Sequence, residues 1–91
     1  MAKNKTQTAL TADQIIKLLR DNGAPDIIIR RDVGKYSCGF VHPLTVRNAD
    51  SRGYGPDQRM LLGSRKAVGY PIASLARYMA GRGFYFEEQV V

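Results

Sequence analysis

The chain reads as an α+β fold: a small antiparallel sheet, made of a hairpin and a C-terminal strand, with two helices packed on one face. Three observations predict it. Thr11 and Gln14 have capping-box spacing at the head of an amphipathic stretch. Ile27-Ile28-Ile29 is a β-branched run of the kind strands favour. A second amphipathic stretch from Pro71 leads into the aromatic segment Phe84-Tyr85-Phe86. Helix, hairpin, loop, helix and strand in that order suit one antiparallel sheet with helices on one side.

Residues 1–8 are polar and basic, with little to bury, and are expected to form a flexible arm ahead of one domain spanning 9–91. The first helix starts at Thr11, with Leu10 and Ile15 at staple positions. Ala12, Ile15, Ile16, Leu18 and Leu19 share one side, and Asn22-Gly23 supplies a left-handed stop. The run from Ile27 to Arg31 is read as a strand, Asp32 to Lys35 as a hairpin connection with Gly34 at positive φ, and Tyr36 to Val41 as the partner strand. Residues 42–66 are rich in turn formers and are expected to make a long basic loop, with Met60-Leu61-Leu62 a candidate third, central strand. Pro71 suits a first helical position, and Ile72, Leu75, Ala76 and Met79 line one side of the helix that follows.

Ninety-one residues with 44% apolar and 24% charged side chains make one globular domain. One cysteine, Cys38, excludes an internal disulfide and, with a single histidine, a zinc site. That usage fits a reducing compartment, and the cytoplasm is the expected location. No apolar run reaches the roughly 20 residues needed to span a bilayer.

Catalytic and nucleotide-binding patterns fail on spacing. Cys38 and His42 are the one conventional nucleophile–base pair, and on an extended strand they lie about 13 Å apart. Gly53-Tyr54-Gly55 lacks the flanking residues of a phosphate cradle. No two of the nine glycines stand three apart, so a Gly-x-x-Gly backbone clamp is absent. Gly39-Phe40-Val41 matches three residues of an RNA-binding strand signature, but Pro43 falls where that signature needs an aromatic. The expectation is a protein without enzymatic activity, cofactor or metal.

Charge is the remaining signal: fourteen Lys and Arg against eight Asp and Glu, for a net +6. Arg47, Arg52, Arg59, Arg65 and Lys66 crowd the central stretch, with Tyr54 between two glycines, and Arg30, Arg31 and Lys35 form a second cluster at the expected hairpin tip. Arginine offers forked donors to phosphates and carboxylates, and an exposed tyrosine stacks on bases or fills protein pockets. These residues are the candidate partner-binding set. The leading expectation is a small binding protein whose basic loop engages nucleic acid or a ribonucleoprotein complex. The rival is a regulator or inhibitor of the phage or mobile-element type, anti-defence proteins included, that docks on an acidic surface of a host protein. A homodimer through the C-terminal strand is a further expectation, because Phe84 to Phe86 would offer an apolar edge; no membrane partner is expected.

Overall fold

The computed structural model describes residues 5–63, 67–83 and 85–89. The α+β class with a small antiparallel sheet holds, while the membership of that sheet differs from expectation. In chain order the elements are β1 (Lys5–Ala9), α1 (Ala12–Asp21), β2 (Ile27–Ile29), a 3-10 turn (Arg30–Asp32) running into α2 (Val33–Tyr36), α3 (Pro43–Arg52), β3 (Met60–Leu62), β4 (Ala67–Pro71), α4 (Ile72–Ala80) and β5 (Tyr85–Gln89). The three-stranded sheet has the order β2-β4-β3, with Ile28 opposite Tyr70 and Leu61 opposite Val68. β1 and β5 form a separate antiparallel pair, with Thr8 opposite Phe86.

α1 forms as its sequence signals require. The Thr11 hydroxyl accepts from Gln14 N, the Gln14 side chain accepts from Thr11 N, and Gly23 leaves the helix at φ 90°. Ile15 and Leu19 are fully buried where α1 packs on α4, and they share one core cluster with Leu75, Ala76 and Met79 of that helix. Each such aliphatic side chain contributes roughly 1.5–3 kcal/mol by leaving water. Met60–Leu62 is a strand, as anticipated, but it lies at an edge of the sheet and β4 takes the central place; the segment beginning at Tyr85 is also a strand, and Phe84 lies outside the described residues.

Four expectations are corrected. The segment 36–41 is not a strand: after β2 the backbone turns helical, Gly34 lies inside α2, and Cys38 (φ 56°) with Gly39 (φ 82°) takes consecutive left-handed conformations that no strand accommodates. β2 therefore pairs with β4, where Gly69 is buried between Ile27 and Leu62; a Cβ there would come within 2.9 Å of both side chains. The expected loop 42–66 holds a ten-residue helix, α3. His42 Nδ1 accepts from Leu44 N at 3.1 Å, Pro43 occupies the first turn, and Gly53 closes the helix at φ 86°. Finally, residues 5–8 of the expected arm lie in β1, and β5, the expected free edge, is paired along β1. Residues 1–4, 64–66, 90 and 91 lie outside the described residues.

One buried polar cluster joins three of these elements. Asp50, on the inner side of α3, has a side chain only 5% exposed. Arg30 Nη2 donates to its Oδ2 at 2.6 Å and the Tyr70 hydroxyl donates to the same oxygen at 2.5 Å, while Arg30 Nε donates to Tyr70 Oη at 2.9 Å. The 3-10 turn, α3 and β4 are thereby tied at one point. Burial and the neighbouring Asp50 carboxylate push the Tyr70 hydroxyl up to about 12, against the smaller opposing effect of Arg30. Burial opposes the Arg30 charge, but its bonds to Tyr70 and Asp50 outweigh that and raise its pKa. Gly55 packs on the same carboxylate so closely that a Cβ would overlap Asp50 Oδ1.

Two outcomes follow from this cluster. Asp50→Ala removes the partner of a largely buried guanidinium and is expected to cost about 3–5 kcal/mol in denaturant melts, whereas Gly55→Ala costs about 1–3 kcal/mol by overpacking. The folded-state pKa of Tyr70 lies above its unfolded value of 10, so its contribution is complete below pH 10 and is lost as pH rises through about 12. Tyr70→Phe should therefore flatten the alkaline stability profile between those limits, and an unchanged profile would show that the hydroxyl is not held as described.

Candidate functional site

Arg30 to Tyr36, the turn Ser37 to His42, and α3 together form two helical segments joined by a tight reversal. The reversal is built locally. Ser37 is buried and its hydroxyl accepts from Val41 N at 3.0 Å; Gly39 N donates to Gly34 O at 2.8 Å. Val33 from α2 and Val46 from α3 are both fully buried, which anchors each segment to the core. The β3–β4 hairpin follows α3 in the chain, so the order is helix, turn, helix, hairpin.

α3 is sharply two-sided. Val46, Ala49 and the Asp50 carboxylate face inward. Leu44, Thr45, Arg47, Asn48, Ser51 and Arg52 are exposed. The helix's one acidic side chain is consumed by Arg30 and Tyr70, so its outer face carries two arginines and no carboxylate. Arg47 has no carboxylate within ion-pair reach among the described residues. Arg52 Nη1 donates to Tyr54 Oη at 3.4 Å.

The sequence-predicted set is partly gathered and partly dispersed. Arg30, Arg31 and Arg47, assigned by sequence to two separate clusters, line one groove of about 460 Å³ with His42, over an apolar floor of Ile29, Pro43 and Leu44. Within it Arg30 is committed to Asp50, while Arg31 sits 3.9 Å from Asp32 on an exposed side chain. Arg59 stands elsewhere, 3.9 Å from Asp50 beside Asp57. Lys35 lies over its neighbour Tyr36, 5.2 Å from the ring centroid. Tyr54 is exposed and lines a different cleft with Arg77, Tyr78 and Arg82. Arg65 and Lys66 lie outside the described residues. Sequence reasoning missed Thr45, Asn48 and Ser51, whose position on the outer face follows from the buried pair Val46 and Ala49 at helical spacing.

Two further cations are engaged by packing. Arg77 makes a forked pair with Asp57, at 2.8 and 3.0 Å, and this contact with help from Ser74 lowers the Asp57 carboxyl to about 2. Arg82 lies 5.5 Å from the Tyr78 ring centroid. The thiol and imidazole once paired as nucleophile and base have other partners: Cys38 Sγ accepts from Asn22 Nδ2 at 3.1 Å, and His42 Nδ1 caps α3. Among the described residues no helix is long and apolar enough to cross a membrane.

Comparison with protein-family models, curated proteins and solved structures finds no match to this chain.

Proposed function

We propose that this chain is a non-enzymatic DNA-binding module that lays α3 in the major groove of duplex DNA. The observation that carries the reading is the outer face of α3: an exposed row of Thr45, Arg47, Asn48, Ser51 and Arg52, free of carboxylates, on a helix that follows a tight turn from α2. Helix-turn-helix proteins present their second helix in this way, because the major groove admits one helix and displays a distinct pattern of donors and acceptors for each base pair. Arg47 supplies the forked donor that suits guanine, and Asn48 the donor–acceptor pair that suits adenine. Leu44 offers an apolar contact for a thymine methyl, and Thr45, Ser51 and Arg52 are suited to backbone phosphates. The connection of β3 to β4 carries Arg65 and Lys66 in its sequence, cations of the kind that neutralise phosphate.

The net charge of +6 supports the reading by drawing the chain to a polyanion. A module of this kind works where DNA is held, and a lone thiol suits the reducing cytoplasm that the composition suggests. The apolar floor of the Arg31–Arg47 groove favours a second reading, docking on an acidic protein surface in the manner of a phage-type regulator or inhibitor.

Fluorescence titration with duplex and single-stranded oligonucleotides separates these. Duplex binding at about 50 mM salt should weaken by an order of magnitude or more at about 200 mM. Arg47→Ala should cost about 1–3 kcal/mol on a preferred duplex and relax its sequence preference, while Arg52→Ala weakens all duplexes alike. Both side chains are exposed, so each variant should keep its stability within about 0.5 kcal/mol. No duplex binding even at low salt would overturn the reading in favour of the protein surface.

A further inference from the structure

The major-groove reading makes no use of the cleft lined by Tyr54, Gly55, Arg77, Tyr78 and Arg82, whose volume is about 610 Å³. That size falls within the range of small-molecule sites. Tyr54 is 55% exposed, on a backbone fixed from both sides. Its amide donates to Ala49 O at 3.0 Å, Gly53 closes α3 before it, and Gly55 after it packs on Asp50. The fold thus holds an aromatic side chain in place and leaves half of it uncovered, which is what a stacking platform requires.

The cations of the cleft keep donors in reserve. Asp57 takes Nε and Nη2 of Arg77 and fixes its guanidinium, while Nη1 makes no hydrogen bond. Arg82 is exposed and, among the described residues, has no carboxylate within ion-pair reach. Its contact with the Tyr78 ring consumes none of its N–H donors. No carboxylate among the described residues lines the cleft. The end of a helix by itself repels an anion. Here the carbonyls of Arg77, Met79 and Ala80 accept from the amides of Gly81, Arg82 and Gly83, and two guanidinium groups stand beside them. The Tyr78 hydroxyl is the one buried side-chain polar atom among the described residues without a hydrogen-bond partner, and a ligand oxygen entering beside Arg82 supplies one.

We propose that this cleft binds a nucleoside phosphate, its base on the Tyr54 ring and its phosphate between Arg77 Nη1 and Arg82. The ring selects a flat group and the guanidinium donors select phosphate. A free nucleotide and the unpaired end of a DNA strand both carry this chemistry. The inference does not depend on α3 entering the major groove and is tested without duplex DNA. The amide signals of Gly55, Gly81 and Gly83 are followed by NMR as deoxyadenosine monophosphate, deoxyadenosine, inorganic phosphate or a single-stranded tetranucleotide is added to the full chain. The monophosphate should saturate these shifts at least tenfold more tightly than the nucleoside or inorganic phosphate. Still tighter binding of the tetranucleotide assigns the cleft to a strand end, and equal or weaker binding assigns it to the free nucleotide; both keep the site. Arg82→Ala and Tyr54→Leu should each weaken the monophosphate at least tenfold with circular dichroism unchanged, whereas Tyr54→Phe should retain it. Arg47→Ala, the test of duplex recognition, should leave it unaltered. The proposal is overturned by the absence of saturable shifts with the monophosphate, by inorganic phosphate binding as tightly, or by binding that ignores Arg82→Ala.

Discussion

Asp50 carries the arrangement of this molecule. Its carboxylate lies on the buried side of a helix, and leaving it there unpaired would cost more than a domain of this size can spare. Arg30 and Tyr70 meet that demand from two other elements, and both bond the same oxygen. Because the donors come from the 3-10 turn after β2 and from β4, the contact forms only when α3 stands at one position against the sheet. Gly55 belongs to the same constraint, since the chain leaving α3 must return within a methyl's width of the carboxylate. The outcome is a helix held from behind, with its far side left open.

The same interaction decides which cations are available. A count of fourteen basic residues overstates what a partner can meet. Arg30 and, more loosely, Arg59 answer Asp50, and Arg31 answers Asp32 as loosely; Arg77 answers Asp57; Lys17 answers Asp21 within α1, and Arg20 answers Asp26 beyond its end. Arg47 and Arg52 are left on the open side of α3, with Arg31 across the groove. By drawing Asp50 inward, the fold removes a negative charge from the helix surface and leaves it positive. Structural pairing and surface charge are thus two consequences of one side chain.

Much of this was legible in the residues, and the failures have particular causes. Thr11 and Gln14 announced α1 because a capping box is a local interaction that needs no tertiary help. The Ile27–Ile29 strand and the α4 face were legible from branching and spacing. α3 was hidden by Asn48, Asp50 and Ser51, which alone favour turns; in the fold the Asp50 carboxylate is occupied by distant donors, so it no longer competes for the backbone. His42 and Gly53 mark the two ends of that helix, but a histidine cap is a weak signal, and Pro43 follows directly on a segment whose alternation suggests a strand. β4 was obscured by Gly69, whose missing side chain is what lets Ile27 and Leu62 close over the central strand. β1 had no apolar pattern to reveal it, since its strand character comes from backbone pairing with β5. The candidate residues were therefore identified better than their setting: Arg47 was singled out for its charge, and only the fold brought it beside Arg31.

Amide hydrogen exchange on Asp50→Asn, an isosteric change that removes the charge and keeps the volume, addresses the central claim most directly. If the carboxylate pins α3, protection should fall by at least an order of magnitude in residues 43–59 and at Tyr70, while the amides of α1 and α4 keep theirs. Equal protection across the whole chain in both proteins, or an equal loss everywhere, would contradict the account.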